Sequence, residues 1–220
     1  MIETGVVFGN IHSFYDLNLI LSSVTIVPAY PKTNYVDIPG ADGSLDLTEV
    51  HGEVKYHDRV HNFTFTMNPS GDLSEAAWEA KKTEVSNLLN GLACRITLDK
   101  DPDYYWQGRC VVDDYKSNKR VRQFVISATV RPYKLKQSET AVSFDLDGTE
   151  KTVNIRNGRK SACPVIECTA DNTHITFGNT TFAVNAGSHK FPDIMFVHGE
   201  NELKLSGTGT VTFRFQEGDL

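Results

Sequence analysis

The sequence predicts a mainly β protein, with an α+β first domain carrying one helix and a second domain that is a β-sandwich of jelly-roll type. Three observations lead there. Strand-like runs rich in β-branched and aromatic residues recur along most of the 220 residues. Helical periodicity occurs in one segment, residues 72–92. Beyond about residue 136 it is gone, and short strand-like runs alternate with turn residues.

In the first domain, residues 20–27 read as a strand. Pro28, Pro31 and Pro39 then punctuate an extended stretch, and Gly40-Ala41-Asp42-Gly43 reads as a turn. Ser44-Leu45-Asp46-Leu47-Thr48 alternates polar and apolar. His51, Glu53, Lys55, His57, Arg59 and His61 share one parity, while Val50, Val54, Tyr56 and Val60 share the other. That pattern predicts a strand with one polar face and one mostly buried face. Phe63, Phe65 and Met67 put the apolar set on the other parity, so a bulge or turn is expected near Asn62.

The helix can be capped by Asp72 or Ser74, with Glu75 and Glu79 in the early turns that the dipole favours. Trp78, Lys81, Val85, Leu88 and Leu92 form its expected stripe, with the Lys81 stem at the edge, and Gly91 is placed to stop it. Strands resume over 94–98, and acidic residues 99–103 lead into the aromatic cluster Tyr104-Tyr105-Trp106. Runs 109–112 and 123–130 follow, joined by a basic loop with Lys116, Lys119, Arg120 and Arg122. Arg131-Pro132-Tyr133 ends the last strand.

The second domain is expected to hold strands at 142–146, 152–155, 164–169, 173–177, 180–184, 193–197, 202–205 and 210–215. Asp147-Gly148, Asn157-Gly158, Gly178-Asn179 and Gly207 supply the turns. The polar joint over 133–139 places the domains at 1–136 and 137–220.

Composition excludes several classes. Net charge is −6, which is not the basic footprint of a nucleic-acid binder. Residues 1–135 hold 14 Lys plus Arg against 17 Asp plus Glu, and the remainder 8 against 11, so each part contributes −3. No apolar run reaches the roughly 18–20 residues of a membrane span, and the start lacks a secretory signal, so folding in the cytosol is expected. Cys94, Cys110, Cys163 and Cys168 show no two-residue metal or redox spacing and read as buried or idle thiols in a reducing compartment, with a disulfide or a metal as the alternative.

No catalytic constellation is legible. His51, His57 and His61 cluster with Glu53 and Asp58, but on a strand His57 and His61 stand about 13 Å apart, too far to share one zinc. His174, His189 and His198 have no recognisable spacing. Asp99, Asp101 and Asp103 alternate like the start of a calcium loop, yet the sixth and twelfth positions are Tyr104 and Cys110 rather than Gly and Glu. They read as a solvated acidic turn beside packed aromatics; acids beside a sugar platform, as in a glycosidase, are the rival. No nucleophile elbow, Walker loop or dinucleotide fingerprint is present, so no catalytic, metal or cofactor residue is assigned and no enzyme is expected.

An ordered series of short motifs is similar to one family. It begins with Phe8-Gly9-Asn10-Ile11-His12-Ser13-Phe14-Tyr15-Asp16-Leu17 and Ile38-Pro39-Gly40-Ala41-Asp42-Gly43-Ser44-Leu45-Asp46-Leu47-Thr48-Glu49. It continues through Tyr56-His57-Asp58-Arg59, Phe63-Thr64-Phe65, Leu89-Asn90-Gly91 and Asp101-Pro102-Asp103-Tyr104-Tyr105-Trp106-Gln107-Gly108-Arg109. Arg131-Pro132-Tyr133, Asn157-Gly158, Pro164-Val165-Ile166 and Gly199-Glu200-Asn201-Glu202-Leu203 complete it. The chain resembles the distal tail (Dit) proteins of long-tailed, siphovirus-type bacteriophages or prophages. Ala41 departs from a position that is commonly charged, and Asn10 from one that is commonly Gly.

The resemblance implies a structural hub of a phage tail tip or baseplate, located in the virion and made in the host cytoplasm. Six copies would form a ring through a first domain built as a β-sandwich plus one helix, and a galectin-like second domain would project outward. The ring would join the tail-tube protein to a tail-associated tip protein and to receptor-binding or baseplate proteins. DNA would pass through its lumen without specific binding, and a mildly acidic chain suits such a channel. No cofactor and no membrane insertion are implied. Extended strands with free edges suit pairing between subunits, so the extended region 28–48 is the expected contact, with Tyr30, Tyr35, Asp37, Asp42 and Asp46 as the expected subunit-interface residues. A carbohydrate-binding, lectin-like or other virion adhesion module is the alternative function.

Overall fold

The computed structural model describes residues 5–50, 52–118 and 121–220. His51, Lys119 and Arg120 of the sequence reading, and the opening residues 1–4, lie outside the described residues. The chain divides into two compact units, Met1–Lys134 and Leu135–Leu220, each with its own apolar core.

Strands β1 (Val6–Phe8), β2 (Ile11–His12), β3 (Leu19–Thr25), β4 (Tyr35–Asp37), β5 (Ser44–Asp46) and β6 (Arg59–Met67) precede helix α1 (Glu75–Leu89). Strands β7 (Ala93–Leu98), β8 (Asp101–Ser117) and β9 (Arg122–Val130) follow it. The main sheet runs β2-β1-β7-β8-β9-β6-β3, with every neighbouring pair antiparallel. Phe8 on β1 meets Phe63 on β6 edge to face at 5.7 Å, although β7, β8 and β9 lie between their strands. In a flat sheet four strand spacings of about 4.8 Å would keep them roughly 19 Å apart. The sheet therefore curls over on itself and encloses Phe8, Phe63, Phe65, Ile96, Phe124 and Ile126, all fully buried.

Helix α1 begins where the sequence places it. Ser74 is the N-cap, its Oγ accepting from Ala77 N at 3.2 Å, and Asp72 Oδ1 accepts from Ser74 N at 2.7 Å. Gly91, at φ 83°, takes the chain out of the helix in a conformation that other residues rarely adopt. The buried stripe is Trp78, Val85 and Leu89. Leu88 of the expected stripe is exposed instead, because Trp78 and Val85 set the inward face and Leu89 lies four residues beyond Val85 on it. Trp78 packs on Phe124 at 4.8 Å, which seats the helix on the core.

Two further expectations change. The polar and apolar faces over 50–61 do not persist: β6 starts at Arg59, and from there Arg59, His61, Phe63, Phe65 and Met67 all point inward while Val60 is exposed. There is no phase switch at Asn62, since β6 pairs with β9 without a break from Arg59↔Val130 to Thr66↔Gln123. Burial beneath Trp106, whose ring lies 5.0 Å from that of His61, outweighs side-chain polarity at this strand end. The aromatic run 104–106 belongs to the long strand β8. Strands β1 and β2 add an N-terminal hairpin that the sequence reading does not include.

Strands β10 (Lys134–Lys136), β11 (Thr140–Asp147), β12 (Lys151–Asn157), β13 (Val165–Cys168), β14 (Thr173–Phe177) and β15 (Thr180–Val184) come next. Strands β16 (Gly187–His189), β17 (Gly199–Ser206), β18 (Thr208–Phe215) and β19 (Gly218–Asp219) complete the chain. Two four-stranded antiparallel sheets, β11-β18-β13-β16 and β12-β17-β14-β15, form the expected sandwich. Inward residues alternate along strands such as β12 and β17, as in Asn201, Leu203 and Leu205 of β17. The expected strand at 193–197 is absent: Ile194 and Phe196 are buried, but the segment makes only a single isolated bridge, Ala162↔Phe196, to a residue that itself lies outside the strands. The place beside β13 is taken by β16, whose Gly-Ser-His sequence has no apolar periodicity.

Candidate assembly surface

Between β3 and β6 the chain leaves the core as an extended arm, residues 26–58. Its base is a short ladder: Lys32 N donates to Lys55 O at 2.7 Å, His57 N donates to Tyr30 O at 2.9 Å, and Pro31 bridges Tyr56. Farther out, β4 and β5 form a separate two-stranded sheet with Tyr35 opposite Asp46, Val36 opposite Leu45 and Asp37 opposite Ser44. The turn is the predicted one, with Gly40 at φ 82° and Gly43 at φ 75°.

Every residue of β4 and β5 is exposed, and among the described residues none of the arm belongs to either core. Two strands alone are marginal in water. Among the described residues, eight of the 17 exposed large apolar side chains lie within 26–50: Ile26, Val27, Tyr30, Tyr35, Val36, Ile38, Leu45 and Val50. That concentration lies in a segment with free strand edges, where exposed apolar side chains and unpaired backbone groups stand together. The arm is also acidic. Asp37, Asp42, Asp46, Glu49, Glu53 and Asp58 against Lys32 and Lys55 give −4, most of the chain's −6. A groove of ≈ 390 Å³ along it is lined by Pro31, Thr33, Tyr35, Asp46, Thr48 and Val54 among others.

The residues expected at the interface all lie on this arm. Tyr30 is 74% exposed near the base, Tyr35 and Asp46 are cross-strand partners, and Asp42 sits in the turn. Asp37 Oδ1 accepts from Ser44 Oγ at 2.6 Å. The Thr48 hydroxyl and then its N–H hold the Asp46 carboxyl below the usual range, so it stays charged. The exposed apolar Val36, Ile38 and Leu45 fall inside the expected region 28–48 without being among its named residues, and Val50 lies beyond it. The alternation at 44–48 carries Leu45, but alternation does not tell which face a partner covers.

The other clusters are occupied by structural contacts. Asp99 Oδ2 accepts from Gly5 N at 2.6 Å and meets His12 Nε2 at 3.1 Å, and Asp101 pairs with Lys134 at 2.8 Å. Arg122 pairs with Glu75 and lies over Trp78. Buried His61 accepts from Val27 N through Nδ1, whereas His57 is exposed. No group of three His, Cys, Asp or Glu side chains among the described residues could hold a metal. Among the described residues no helix is long and apolar enough to cross a membrane. Trp78 and Trp106 are both core residues of the first unit.

No family model matches the chain, and no curated protein does. Among solved structures, the crystal structure of SPP1 Dit (gp 19.1) matches with a TM-score of 0.70 over 99% of both chains, at 13% sequence identity. This chain has the Dit fold. SPP1 Dit is a paradigm of the hub adsorption apparatus of phages that infect Gram-positive hosts. The Dit fold here comprises both the curled sheet with its helix and the following sandwich, since the match spans nearly the full length.

Proposed function

We propose that the protein is a structural, non-enzymatic hub of a phage tail tip, made in the host cytoplasm and carried in the virion. Six copies close into a ring through the first domain, residues 1–136, and the arm of each copy lies against its neighbour. The ring joins the tail tube to a tail-associated tip protein and to receptor-binding or baseplate proteins, which the second domain, residues 137–220, holds. DNA passes through the lumen without specific binding, because a mildly acidic wall does not retain phosphates. The supporting observation is the arm: an exposed two-stranded sheet with Tyr35, Val36 and Leu45 uncovered, in a chain with the Dit fold. A head-to-tail contact that repeats around an axis produces a closed ring when the rotation closes. Sedimentation velocity and negative-stain microscopy of the purified chain test this. Closed rings of six are expected; a monomer persisting at high concentration overturns the reading.

A further inference from the structure

The geometry points to Cys94 and Cys110 as a dithiol that closes to an intramolecular disulfide on exposure to a peroxide. Their Sγ atoms are 3.9 Å apart on neighbouring strands β7 and β8, and both are free thiols. The register explains the approach. Cys94 lies opposite Gly108, which presents no side chain, so it leans diagonally toward Cys110. A side chain at Gly108 would collide with Thr129 O and Val130 Cγ1, each at 2.6 Å, so only glycine fits opposite Cys94. The strands are tied beside the pair by Cys110 N donating to Leu92 O at 2.8 Å, while the β7–β8 register slips farther along, between Ile96 and Leu98. Closing from 3.9 Å to a bond of about 2.05 Å therefore needs side-chain rotation and a small shift in a hairpin that already holds an irregularity.

Access is one-sided. Cys110 is fully buried, whereas Cys94 is 8% exposed and lines an open cleft of ≈ 680 Å³ with Phe8, Gly9, Ile11, Leu92 and Ala93. The Cys110 S–H, donated to Cys94, lowers the Cys94 pKa, and the same contact together with burial raises that of Cys110. Cys94 is thus the attacking thiolate and Cys110 the resolving thiol. The Cys94 thiolate attacks one peroxide oxygen, the O–O bond breaks, and the leaving hydroxide takes the proton that Cys94 released, giving a sulfenic acid and one water. The Cys110 sulfur then attacks the sulfenic sulfur, and its proton leaves with the departing hydroxyl as a second water. Two thiols are oxidised and one peroxide is reduced. In a glutathione- or thioredoxin-poised interior the pair stays reduced.

The test uses the full chain, reduced, desalted and treated with hydrogen peroxide. Denatured thiol titration is expected to fall from the four cysteines to two. A non-reducing tryptic digest is expected to link peptide 83–95 to peptide 110–116, at a rate independent of protein concentration. In Cys110→Ser, Cys94 is expected to accumulate as a dimedone-trapped sulfenic acid. Four persisting thiols, links through Cys163 or Cys168, or oxidation of Cys94 to a sulfinic acid in the unmodified chain with Cys110 still free would each overturn the assignment. Because the readouts are covalent, they do not depend on whether the chain assembles.

Discussion

Val36 and Leu45 face each other across the β4–β5 hairpin, 43% and 49% exposed, with no core beneath them. An apolar cross-strand pair normally covers a sheet face; here it lies open on an arm whose charged residues are mostly acidic. Introducing a charge at either position costs the isolated chain little, since exposed sites change stability by about 0.5 kcal/mol or less. Val36→Asp and Leu45→Asp are therefore expected to keep the wild-type urea midpoint while abolishing self-association in sedimentation velocity. An unchanged oligomer would remove the arm from the interface.

Phe8 and Phe63 close the curled sheet, so the first unit depends on a contact between sheet positions that are remote in strand order. Phe8→Ala removes a fully buried ring that also meets Phe65 at 6.1 Å. A loss of about 3–5 kcal/mol is expected in denaturant unfolding followed by near-UV circular dichroism. A loss below 1 kcal/mol would mean that the sheet closes without this contact.

His61 introduces a pH dependence. Burial, and then the nearby Arg59 charge, lower its pKa from 6.5 to about 4. The unfolded chain binds this proton near pH 6.5, the native one near pH 4. The associated stability is fully present above pH 6.5 and is lost as pH falls to 4, to a maximum of roughly 3 kcal/mol. His61→Gln should flatten the stability profile of the protein between pH 6.5 and 4. Parallel profiles for the two proteins would show that His61 titrates normally.

Asn201 organises the irregular segment that precedes β17. Its Oδ1 accepts from Val197 N at 2.9 Å, and its Nδ2 reaches the carbonyls of Ile155, Val197 and Gly199. Asn201→Asp replaces the donating amide with a buried carboxylate facing three carbonyl oxygens. Destabilisation by about 2–4 kcal/mol is expected, with faster amide exchange of Val197. Exchange that stays at the wild-type rate would assign the order of this segment to Phe196 alone.

Local chemistry determined a good part of the architecture. Ser74 and Gly91 bracket α1 because a cap hydroxyl and a positive-φ glycine act within one turn of their own positions. Strands β14 and β15 coincide with the runs read at 173–177 and 180–184, since β-branched residues and the Gly178-Asn179 turn carry their own periodicity. The arm was legible as an extended, proline-punctuated stretch ending in Gly40-Ala41-Asp42-Gly43. The remainder depended on which surfaces meet. Inward-facing Arg59 and His61 have no local signal, because burial there depends on groups far away in sequence: the Trp106 ring against His61 and the Val27 carbonyl that accepts from Arg59. Residues 193–197 look like a strand because Ile194 and Phe196 are apolar, yet both side chains are buried in the sandwich core while the segment makes only an isolated bridge, and the edge beside β13 is held by the polar strand β16. The 3.9 Å approach of Cys94 to Cys110 could not be read from a separation of 16 residues, since it depends on a hairpin register that sets a glycine opposite one of the thiols. Alternation reports which residues share a face; whether that face is buried depends on packing partners far away in sequence.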